Sequence, residues 1–568
     1  MKKLPAIMFG ALLAFSVFAQ AAPVAMNPGD LAPYARSVAG PAAIGYDAAD
    51  LVESIAFDHV VAIDLSLGSV ALDAAAPRTF FDTPLTVLDG LTVARTAYGV
   101  TVTAKTAASI HYNLKGALAG TLTFASDAPY ELYLDGVSIV AVDGPALNLQ
   151  SKKRAFIVLA EGSTNSLTDT AKRVKELDEK AALSGKGRII ISGGGVLNVD
   201  GNYKHGIYSK EYVRVRGGSL NVAVSARDGI RTDQGFIFDD GVLSIAGTGA
   251  GVDEESKGIK VDGTESAPGK GAIVVNGGYI TIATVGKAIT AGWDIDEDAT
   301  TPDKADDPNP DVIINAGVIK VTTSGTPYEK KNAEGLLVSC SPEGIEGKSD
   351  LVVHGGYILA RTADDCLNAG DSIVIDGGYV DVVSSANDAI DSNGTLTLAG
   401  GTILSVGANP PEGPFDCDMN NFAITGGTLV GVGGMTSGPT AEACAQNVLI
   451  AGGYAAGSSF AIKDEKGATV FAFTVPKTSP TLIMSAPGLK TGGQYTILVD
   501  GTVSATFTIS ERITKIGGMI FDMGPGGPGG PGMGPPPDGW TPPEGWAPPE
   551  GWAPGQTLPA GAAPLAGE

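Results

Sequence analysis

The chain has 568 residues, of which 79 are glycine and 43% are hydrophobic, so it is neither a disordered polar chain nor a collagen. Its 38 Lys and Arg residues against 62 Asp and Glu residues give a formal net charge of -24, which repels nucleic acids and anionic lipid surfaces. The composition therefore favours a folded, turn-rich β protein whose partners are cations, neutral surfaces or anions bridged by cations.

The N-terminus has the pattern of a secretory signal peptide. Lys2 and Lys3 precede an apolar run from Leu4 to Ala19, and Ala19-Gln20-Ala21 is a small-x-small cleavage site. We expect residues 1–21 to be removed by cleavage after Ala21. No later stretch is long and apolar enough to cross a bilayer. The predicted location is therefore secreted, extracellular or at the cell surface.

A repeat organises the middle of the chain. Residues 22–100 contain strand-like segments without the repeat, and we interpret them as an N-terminal β cap. From about residue 188 a phrase of alternating apolar residues around a glycine pair recurs at minimum gaps of 22 and 23 residues. Such a period fits three short strands and three turns per coil, so residues 101–454 are predicted to form an all-β solenoid, a right-handed parallel β-helix. The closing glycines of the phrase are Gly195, Gly218, Gly241, Gly278, Gly317, Gly356, Gly378, Gly401, Gly427 and Gly453.

The C-terminal part of the chain changes character twice. Residues 455–515 read as antiparallel hairpins that form a small β module able to close the open edge of the solenoid. Residues 523–568 are rich in glycine and proline and are predicted to be a disordered tail. Trp540, Trp546 and Trp552 are six residues apart, which is two turns of a polyproline helix. The tail is therefore either a flexible extension or a docking strip for a partner or a sugar surface.

Acidic residues concentrate on the later coils. If the inward aliphatic residues of successive coils are aligned, the residues that follow them form an outward column: Tyr208, Arg231, Lys260, Thr290, Glu346, Asn368 and Asp391. Carboxylates on neighbouring coils lie about 5 Å apart. At this distance their repulsion either raises the pKa of one carboxyl group or requires a cation bound between them. We therefore predict calcium ligands here, with a solvated acidic face as the alternative. The predicted ligands of the later coils are Asp364, Asp365, Asp388, Asp391, Asp416 and Asp418.

A second column directly follows the glycine pairs and contains Tyr279, Tyr357 and Tyr379. Tyr357 and Tyr379 belong to consecutive coils and are expected to stack. Aromatic faces on a flat sheet suit the apolar faces of sugar rings, so the three tyrosines are predicted to bind carbohydrate. Alternatively, tyrosine is present only because it favours exposed strands.

Motifs for catalysis are scarce. The four histidines are scattered, and neither a G-x-S-x-G, a Walker nor an H-E-x-x-H motif is present. Arg231 and Lys260, each near an aspartate, form the one place where a cation could act as a base. Such an alternation is also typical of a charge-balanced ladder on neighbouring strands. We therefore predict no catalytic residue.

The four cysteines are predicted to form disulfides because the chain is exported and has no close C-x-x-C pair. Three connectivities are possible. Pairing Cys340 with Cys366, and Cys417 with Cys444, joins neighbouring coils and is favoured over a bridge from Cys366 to Cys417.

The region from Tyr130 to Ile245 resembles a bacterial family of secreted carbohydrate-binding domain-containing proteins that are related in fold to pectate lyases. The matching phrases are LYLDGVSIVAVDGPALNLQS, VLAEGSTNSLTD, LNVDGNYKHGIYSK and GGSLNVAVSARDGIRTD, and SAPGLKTGGQYTILVDG resembles the C-terminal module of that family. The resemblance implies calcium along the helix. The family's Asp-Gly-Ile motif is intact at Asp228-Gly229-Ile230. Asp228, together with Asp233 of the same coil, is therefore added to the predicted calcium ligands.

The resemblance also implies the function. It implies a secreted, adhesin-like protein that binds a polysaccharide of the cellulose or polygalacturonate type without cleaving it, with calcium as its cofactor. We expect such a protein to be a monomer. One alternative is a calcium-dependent, pectate-type polysaccharide lyase on the same scaffold. Another is a structural surface protein that binds a protein partner through its tail.

Overall fold

A computed structural model describes residues 31–251, 254–263, 270–293, 310–331, 335, 337–419, 421–518 and 520–521. The chain divides into two compact units after Ile520, and the fold described below belongs to the first unit. The predicted signal peptide, the predicted tail with its three tryptophans and the loop from 294 to 309 lie outside the described residues. Nearly all of the regular structure is strand, which confirms the all-β prediction.

Three mainly parallel ladders of strands run through the first unit. Each successive repeat of the sequence, which we term a coil, adds one strand to each ladder in chain order. Ladder A consists of His59–Asp64, Ile110–Ala119, Tyr130–Val140, Ala155–Leu159, Ile189–Gly193, Tyr212–Val215, Gly235–Phe238, Ile273–Val275, Val312–Ile314, Asp350–Val353, Ser372–Ile375, Thr395–Leu398 and Asn421–Ile424. Ladder B begins with the second halves of Ile110–Ala119 and Tyr130–Val140 and continues with Thr164–Thr168, Val196–Gly201, Ser219–Val224, Val242–Gly247, Tyr279–Thr284, Val318–Thr323, Tyr357–Thr362, Tyr379–Ser384, Thr402–Val406 and Thr428–Gly433. Ladder C consists of Gly99–Ala104, Thr121–Ser126, Leu147–Leu149, Ala181–Gly185, His205–Ser209, Ile230–Thr232, Ile259–Gly263, Ile289–Trp293, Ile345–Gly347, Leu367–Ala369, Ile390–Ser392 and Asp416–Cys417.

Columns of stacked aliphatic side chains form the core between the ladders. In ladder C the predicted alignment of inward residues is confirmed, because each pairs in register with its equivalent on the next coil. Each is at most 1% exposed, and full burial of such a side chain is worth about 1.5–3 kcal/mol. The column consists of Ile207, Ile230, Ile259, Ile289, Ile345, Leu367 and Ile390.

The closing glycines of the phrase, except Gly195, have the positive φ that favours glycine. Gly378 has φ +80°, and a Cβ atom there would lie 2.7 Å from the carbonyl oxygen of Gly356 on the neighbouring coil. We expect Gly378→Ala to lower the free energy of unfolding by at least about 1–2 kcal/mol, because left-handed backbone costs alanine that much before any clash. Gly40 is a matched control, since a Cβ there meets nothing within 4 Å and its φ lies outside the left-handed range. Urea denaturation of both variants measures the difference, and equal midpoints would contradict this reading of the turns.

Residues 31–55, which we term the N-terminal strap, run along the outside of the coils before the first strand. The amide of Gly317 donates to the Tyr34 carbonyl at 2.7 Å, and the amide of Gly278 donates to the Ala35 carbonyl at 2.8 Å. Further along, Asp50 is fully buried and lies 3.2 Å from the guanidinium of Arg214. The described part of the predicted N-terminal cap is strand only from His59 onward.

At the other end, ladder B stops against an antiparallel strand. Thr481–Ser485 pairs with both Thr428–Gly433 and Val448–Ala451, so the next parallel position is blocked. The predicted hairpins follow as a four-stranded antiparallel sheet, in the order Thr469–Thr474, Ser459–Asp464, Gln494–Val499 and Thr502–Thr508.

Short elements complete the description. In the part of the chain that the structure covers, no helix is long and apolar enough to span a lipid bilayer. The helices are Ala32–Ala35, Ala48–Asp50, Val52–Ser54 and Lys175–Leu177. The remaining strands are Ser69–Leu72, Arg78–Thr79, Leu85–Leu88, Leu91–Thr96, Ala250–Gly251, Glu254–Glu255, Tyr328–Lys331, Leu337–Cys340, Thr436–Ser437, Ile513–Lys515 and Ile520–Phe521, the last across the boundary of the two units.

Candidate functional site

The outer face of ladder C carries a continuous line of polar side chains, which we term the polar column. Each member follows an inward apolar residue, which is Phe415 before Asp416 and aliphatic elsewhere. Each pairs in register with its equivalent on the next coil, at the strand spacing of about 4.8 Å. The outward column expected from the repeat is therefore present. It consists of Tyr208, Arg231, Lys260, Thr290, Glu346, Asn368, Asp391 and Asp416.

Asp228 and Asp233, two of the predicted calcium ligands, have protein partners instead. The Asp228 carboxylate lies 3.2 Å from His205 Nδ1 and 3.7 Å from the Arg231 guanidinium. The Tyr208 hydroxyl donates to Asp233 Oδ2 at 2.9 Å. The alternating charges at these coils thus pair with one another within the protein, and calcium at Asp228 and Asp233 stays a prediction.

A cleft of about 340 Å³ opens at the middle of the polar column. Its wall includes Ser339 and Cys340, from the antiparallel hairpin of Tyr328–Lys331 and Leu337–Cys340. At its base, Lys287 Nζ lies 2.9 Å from Glu343 Oε2 and 2.7 Å from Glu346 Oε1. The charged side chains that line the cleft are Glu255, Lys257, Lys260, Asp262, Lys287, Glu343, Glu346 and Lys348.

Burial shifts the proton affinities of these groups in opposite directions. Burial lowers the pKa of Lys260, and the nearby positive charge of Arg231 lowers it further. The carboxylate of Asp262, 3.1 Å away, acts in the opposite direction but does not outweigh burial. Burial also opposes the charge of Lys287, but Glu346 and Glu343 outweigh it and hold the pKa of Lys287 above its ordinary value. Burial and the Glu346 charge raise the pKa of Glu343. The cleft therefore contains one lysine that releases its proton more easily than usual and one that keeps it.

The six aspartates predicted from the later coils lie within electrostatic reach of one another, and we term them the acidic cluster: Asp364, Asp365, Asp388, Asp391, Asp416 and Asp418. Asp365 is 4% exposed, and its buried Oδ1 has no hydrogen-bond partner. Its Oδ2 accepts from the Asn368 amide at 3.1 Å. The amides of Asn368 and Asn387 thus donate to the aspartates, with Asn387 reaching Asp364 Oδ1 at 2.6 Å.

Four members of the acidic cluster, Asp365, Asp388, Asp391 and Asp418, have raised pKa values. Burial, with the charges of Asp391 and Glu343, raises the pKa of Asp365 to about 10. Burial, with the charges of Asp416 and Asp418, raises the pKa of Asp391 to about 7. The pKa of Asp388 is also raised, by burial and by Asp416. The charged forms of these aspartates are therefore costly unless a cation is present.

The donors of the acidic cluster are oxygen atoms, which calcium prefers. Among the residues that the structure describes, no three His, Cys, Asp or Glu side chains stand in a geometry that could hold a metal ion. The unpartnered, buried Oδ1 of Asp365 is nevertheless a donor of the required kind. The oxygen atoms of these residues therefore fit calcium in their chemistry.

The carbohydrate-binding prediction is wrong for two of its three tyrosines. Tyr357 and Tyr379 do stack as expected, with ring centroids 5.3 Å apart and planes 7° apart. Both are only 3% exposed, because Ala35 and Tyr34 of the N-terminal strap pack on them. Tyr279 is 38% exposed, and it is the one predicted tyrosine on an open surface.

The disulfide prediction is also wrong in this structure, where Cys340, Cys366, Cys417 and Cys444 are all free and buried. Cys366 occupies the small-residue position before the inward aliphatic residue, where the neighbouring coil has Gly344, so it faces no cysteine. The Cys417 thiol donates to the Gly394 carbonyl at 3.4 Å, and Cys444 Sγ accepts from the Ile424 amide at 3.2 Å. Burial raises the pKa of Cys366 to about 12, so its thiol stays protonated.

Sequence reasoning found the column but missed the cleft. Lys287 and Glu343 are 56 residues apart in the chain, and their pairing follows only once the coils are aligned. The hairpin that walls the cleft lies in an insertion between two glycine phrases, where the repeat gives no information. The gap of 39 residues between Gly317 and Gly356 is longer than the minimum of 22 and indicates an insertion, but the preceding gap is equally long and so does not single out the hairpin.

Comparison with known proteins gives two matches. The family model described as carbohydrate-binding domain-containing protein matches residues 97–389, just over half of the chain. The solved structure of a polysaccharide lyase-like protein from C. thermocellum, a gadolinium derivative, is 23% identical, with a TM-score of 0.35, and the match covers 47% of this chain and 92% of that one. No curated protein matches the chain.

Proposed function

The chain belongs to the family of carbohydrate-binding domain-containing proteins, and from this we propose that it is a secreted, adhesin-like protein that binds polysaccharide along the polar column without cleaving it. The ladders are proposed to wind as a right-handed parallel β-helix, the handedness that parallel crossovers take. The polymer is of the polygalacturonate or cellulose type.

One observation carries this proposal: the polar column changes from basic to acidic over consecutive coils in a single register. Arg231 and Lys260 precede Asp391 and Asp416 along one straight line. A surface with a constant step suits a repeating polymer. Tyr208, Thr290 and Glu346 are at most 4% exposed, so the contacts fall to the partly exposed members Arg231, Lys260, Asn368, Asp391 and Asp416. Arg231 and Lys260 can bind a sugar carboxylate in competition with Asp262, with which both are paired, and the aspartates suit such a carboxylate through a bridging cation.

We propose calcium as that cation, held by Asp365, Asp391 and their neighbours in the acidic cluster. Bound calcium would supply the positive charge that lets these carboxylates ionise. The support is the unpartnered Asp365 oxygen and the raised pKa of Asp391. A carboxylate of an anionic sugar would then bind the same calcium ion from the solvent side of the acidic cluster.

The test is retention of the full chain on immobilised polygalacturonate and on cellulose, with and without calcium. We expect Asp391→Asn to weaken calcium-dependent retention about tenfold, since loss of one charged ligand costs roughly 1.4 kcal/mol at this scale. Asp371→Asn is the matched control, because Asp371 is an exposed aspartate at a turn outside the acidic cluster. We expect it to behave as the wild type.

Three outcomes would contradict the proposal. Retention that is absent from every polysaccharide would remove the function itself. Retention that Asp391→Asn leaves unchanged would move the site elsewhere. Loss of retention on deletion of residues 523–568 would favour the alternative in which the protein is a surface protein that binds its partner through the tail.

A calcium-dependent lyase is the second candidate, favoured by one observation. Lys260 lines the cleft, is 26% exposed at its side chain and has a lowered pKa, which a base that removes a proton next to a sugar carboxylate requires. Incubation with polygalacturonate and calcium, followed by ultraviolet absorbance of unsaturated products, separates the two candidates. A rising trace that Lys260→Met abolishes would establish the lyase, and a flat trace supports the binder.

A further inference from the structure

We propose that a trough on the outer face of the first coils, separate from the polar column, is a binding site for an uncharged pyranose unit. The trough has a volume of about 360 Å³ and lies where the strands Ser69–Leu72, His59–Asp64, Ile110–Ala119 and Tyr130–Val140 are side by side. Several of its residues precede residue 97, so they lie outside the part of the chain that the family model matches.

Small side chains on two adjacent strands make the hollow. Ala71 pairs with Ala62, Ala62 with Asn113, and Asn113 with Tyr133, so these four form one row across the sheet. The two alanines at one end of the row leave space above the sheet. The larger side chain of Tyr133, at the other end of the row, bounds this space. Leu67, which is 67% exposed, lies on the rim and presents an apolar surface to solvent.

Tyr133 is held in place before any ligand arrives. Its ring lies 5.7 Å from that of His111, centroid to centroid. The two nitrogens of the His111 ring lie 2.7 Å from Glu131 Oε2 and 2.7 Å from Asn113 Oδ1. Because His111 is fixed on both sides, the aromatic face and the Asn113 amide are set in a constant relation. A fixed aromatic face beside an amide suits the apolar face and the hydroxyls of a sugar ring.

Charge selects a neutral sugar over an acidic one. The charged side chains that line the trough are Asp64, Asp135 and Lys115. Lys115 Nζ lies 3.5 Å from Asp64 Oδ2, so its charge is already matched, and Asp135 leaves one negative charge in excess. A sugar carboxylate would be repelled here, whereas hydroxyl groups can donate to these oxygens. The trough therefore favours uncharged sugars over acidic ones.

The test is calorimetric titration of the full chain with cellohexaose, xylohexaose, mannohexaose and hexagalacturonate. Ala62→Leu fills the trough without removing a contact, because Ala62 is exposed. Ala223→Leu is the matched control, an exposed alanine on a strand of ladder B. Tyr133→Ala removes the aromatic face, and a thermal melt of each variant verifies folding.

We expect the wild type and Ala223→Leu to bind at least one neutral hexasaccharide equally, and Ala62→Leu and Tyr133→Ala to bind it at least tenfold more weakly. Hexagalacturonate should bind all four proteins alike. The inference is overturned if no neutral hexasaccharide binds the wild type, if Ala62→Leu binds it as well as the control does, or if filling the trough weakens hexagalacturonate. Loss of hexagalacturonate binding in every protein would contradict the proposed function and leave the trough standing.

Discussion

Asp50→Ala is expected to lower the free energy of unfolding by about 3–5 kcal/mol, the cost of removing one partner from a buried ion pair. Asp50 is fully buried, and it accepts from the Arg154 Nε at 2.8 Å and from the Tyr212 hydroxyl at 2.7 Å. Arg214 is 2% exposed and would keep only Asp239 as a carboxylate partner. The N-terminal strap should then detach.

Denaturant melts and limited trypsin digestion measure this effect. Detachment should make the exposed Arg36 an early cleavage site. Glu53→Gln is the matched control, because Glu53 lies in the same strap and pairs with Arg216 but its side chain is 61% exposed. We expect that change to cost less than about 1 kcal/mol. Equal losses in the two variants would contradict the view that the buried end of the strap holds it in place.

Asp391→Asn is expected to stabilise the calcium-free protein at pH 8 and to have little effect at pH 4. The pKa of Asp391 is raised from 3.8 to about 7, so its contribution to stability is fully present below pH 3.8 and is lost as the pH rises through 7. Asparagine cannot ionise and escapes this loss. At about 1.4 kcal/mol per pKa unit, the gain at pH 8 is about 2–4 kcal/mol.

Melts in excess chelator at both pH values test this, with Asp371→Asn as the exposed control. Added calcium should raise the wild-type midpoint at pH 8 more than at pH 4, because protons compete for the same oxygens. The account of the acidic cluster fails if Asp391→Asn is the less stable protein in chelator at pH 8. It fails equally if calcium shifts the wild-type midpoint by the same amount at both pH values.

The repeat allowed much of the fold to be predicted because its period fixes the register. Once Ile230 and Ile259 are aligned, Arg231 and Lys260 must be neighbours on the outside, and the polar column follows. The stack of Tyr357 on Tyr379 was predictable for the same reason. Both features follow from the strand periodicity alone and need no information about contacts with segments outside the repeat.

Contacts between segments without the repeat were not predictable. Nothing in the local pattern of residues 31–55 indicates that Tyr34 covers Tyr357, since the two are more than 300 residues apart. The periodicity predicts that Tyr357 and Tyr379 point outward, but their exposure depends on the N-terminal strap, whose position the periodicity does not predict. The cysteines failed differently, because Cys366 serves as a small core residue that glycine or alanine could replace.

The central claim is that polysaccharide lies along the polar column, and chemical labelling of lysine and carboxylate side chains, measured by mass spectrometry with and without polygalacturonate and calcium, tests it most directly. The account predicts protection of Lys260, Asp391 and Asp416, with labelling of Asp371 and of Lys463 on the antiparallel sheet unchanged. Unchanged labelling of those three residues under conditions in which the polymer is bound would contradict it.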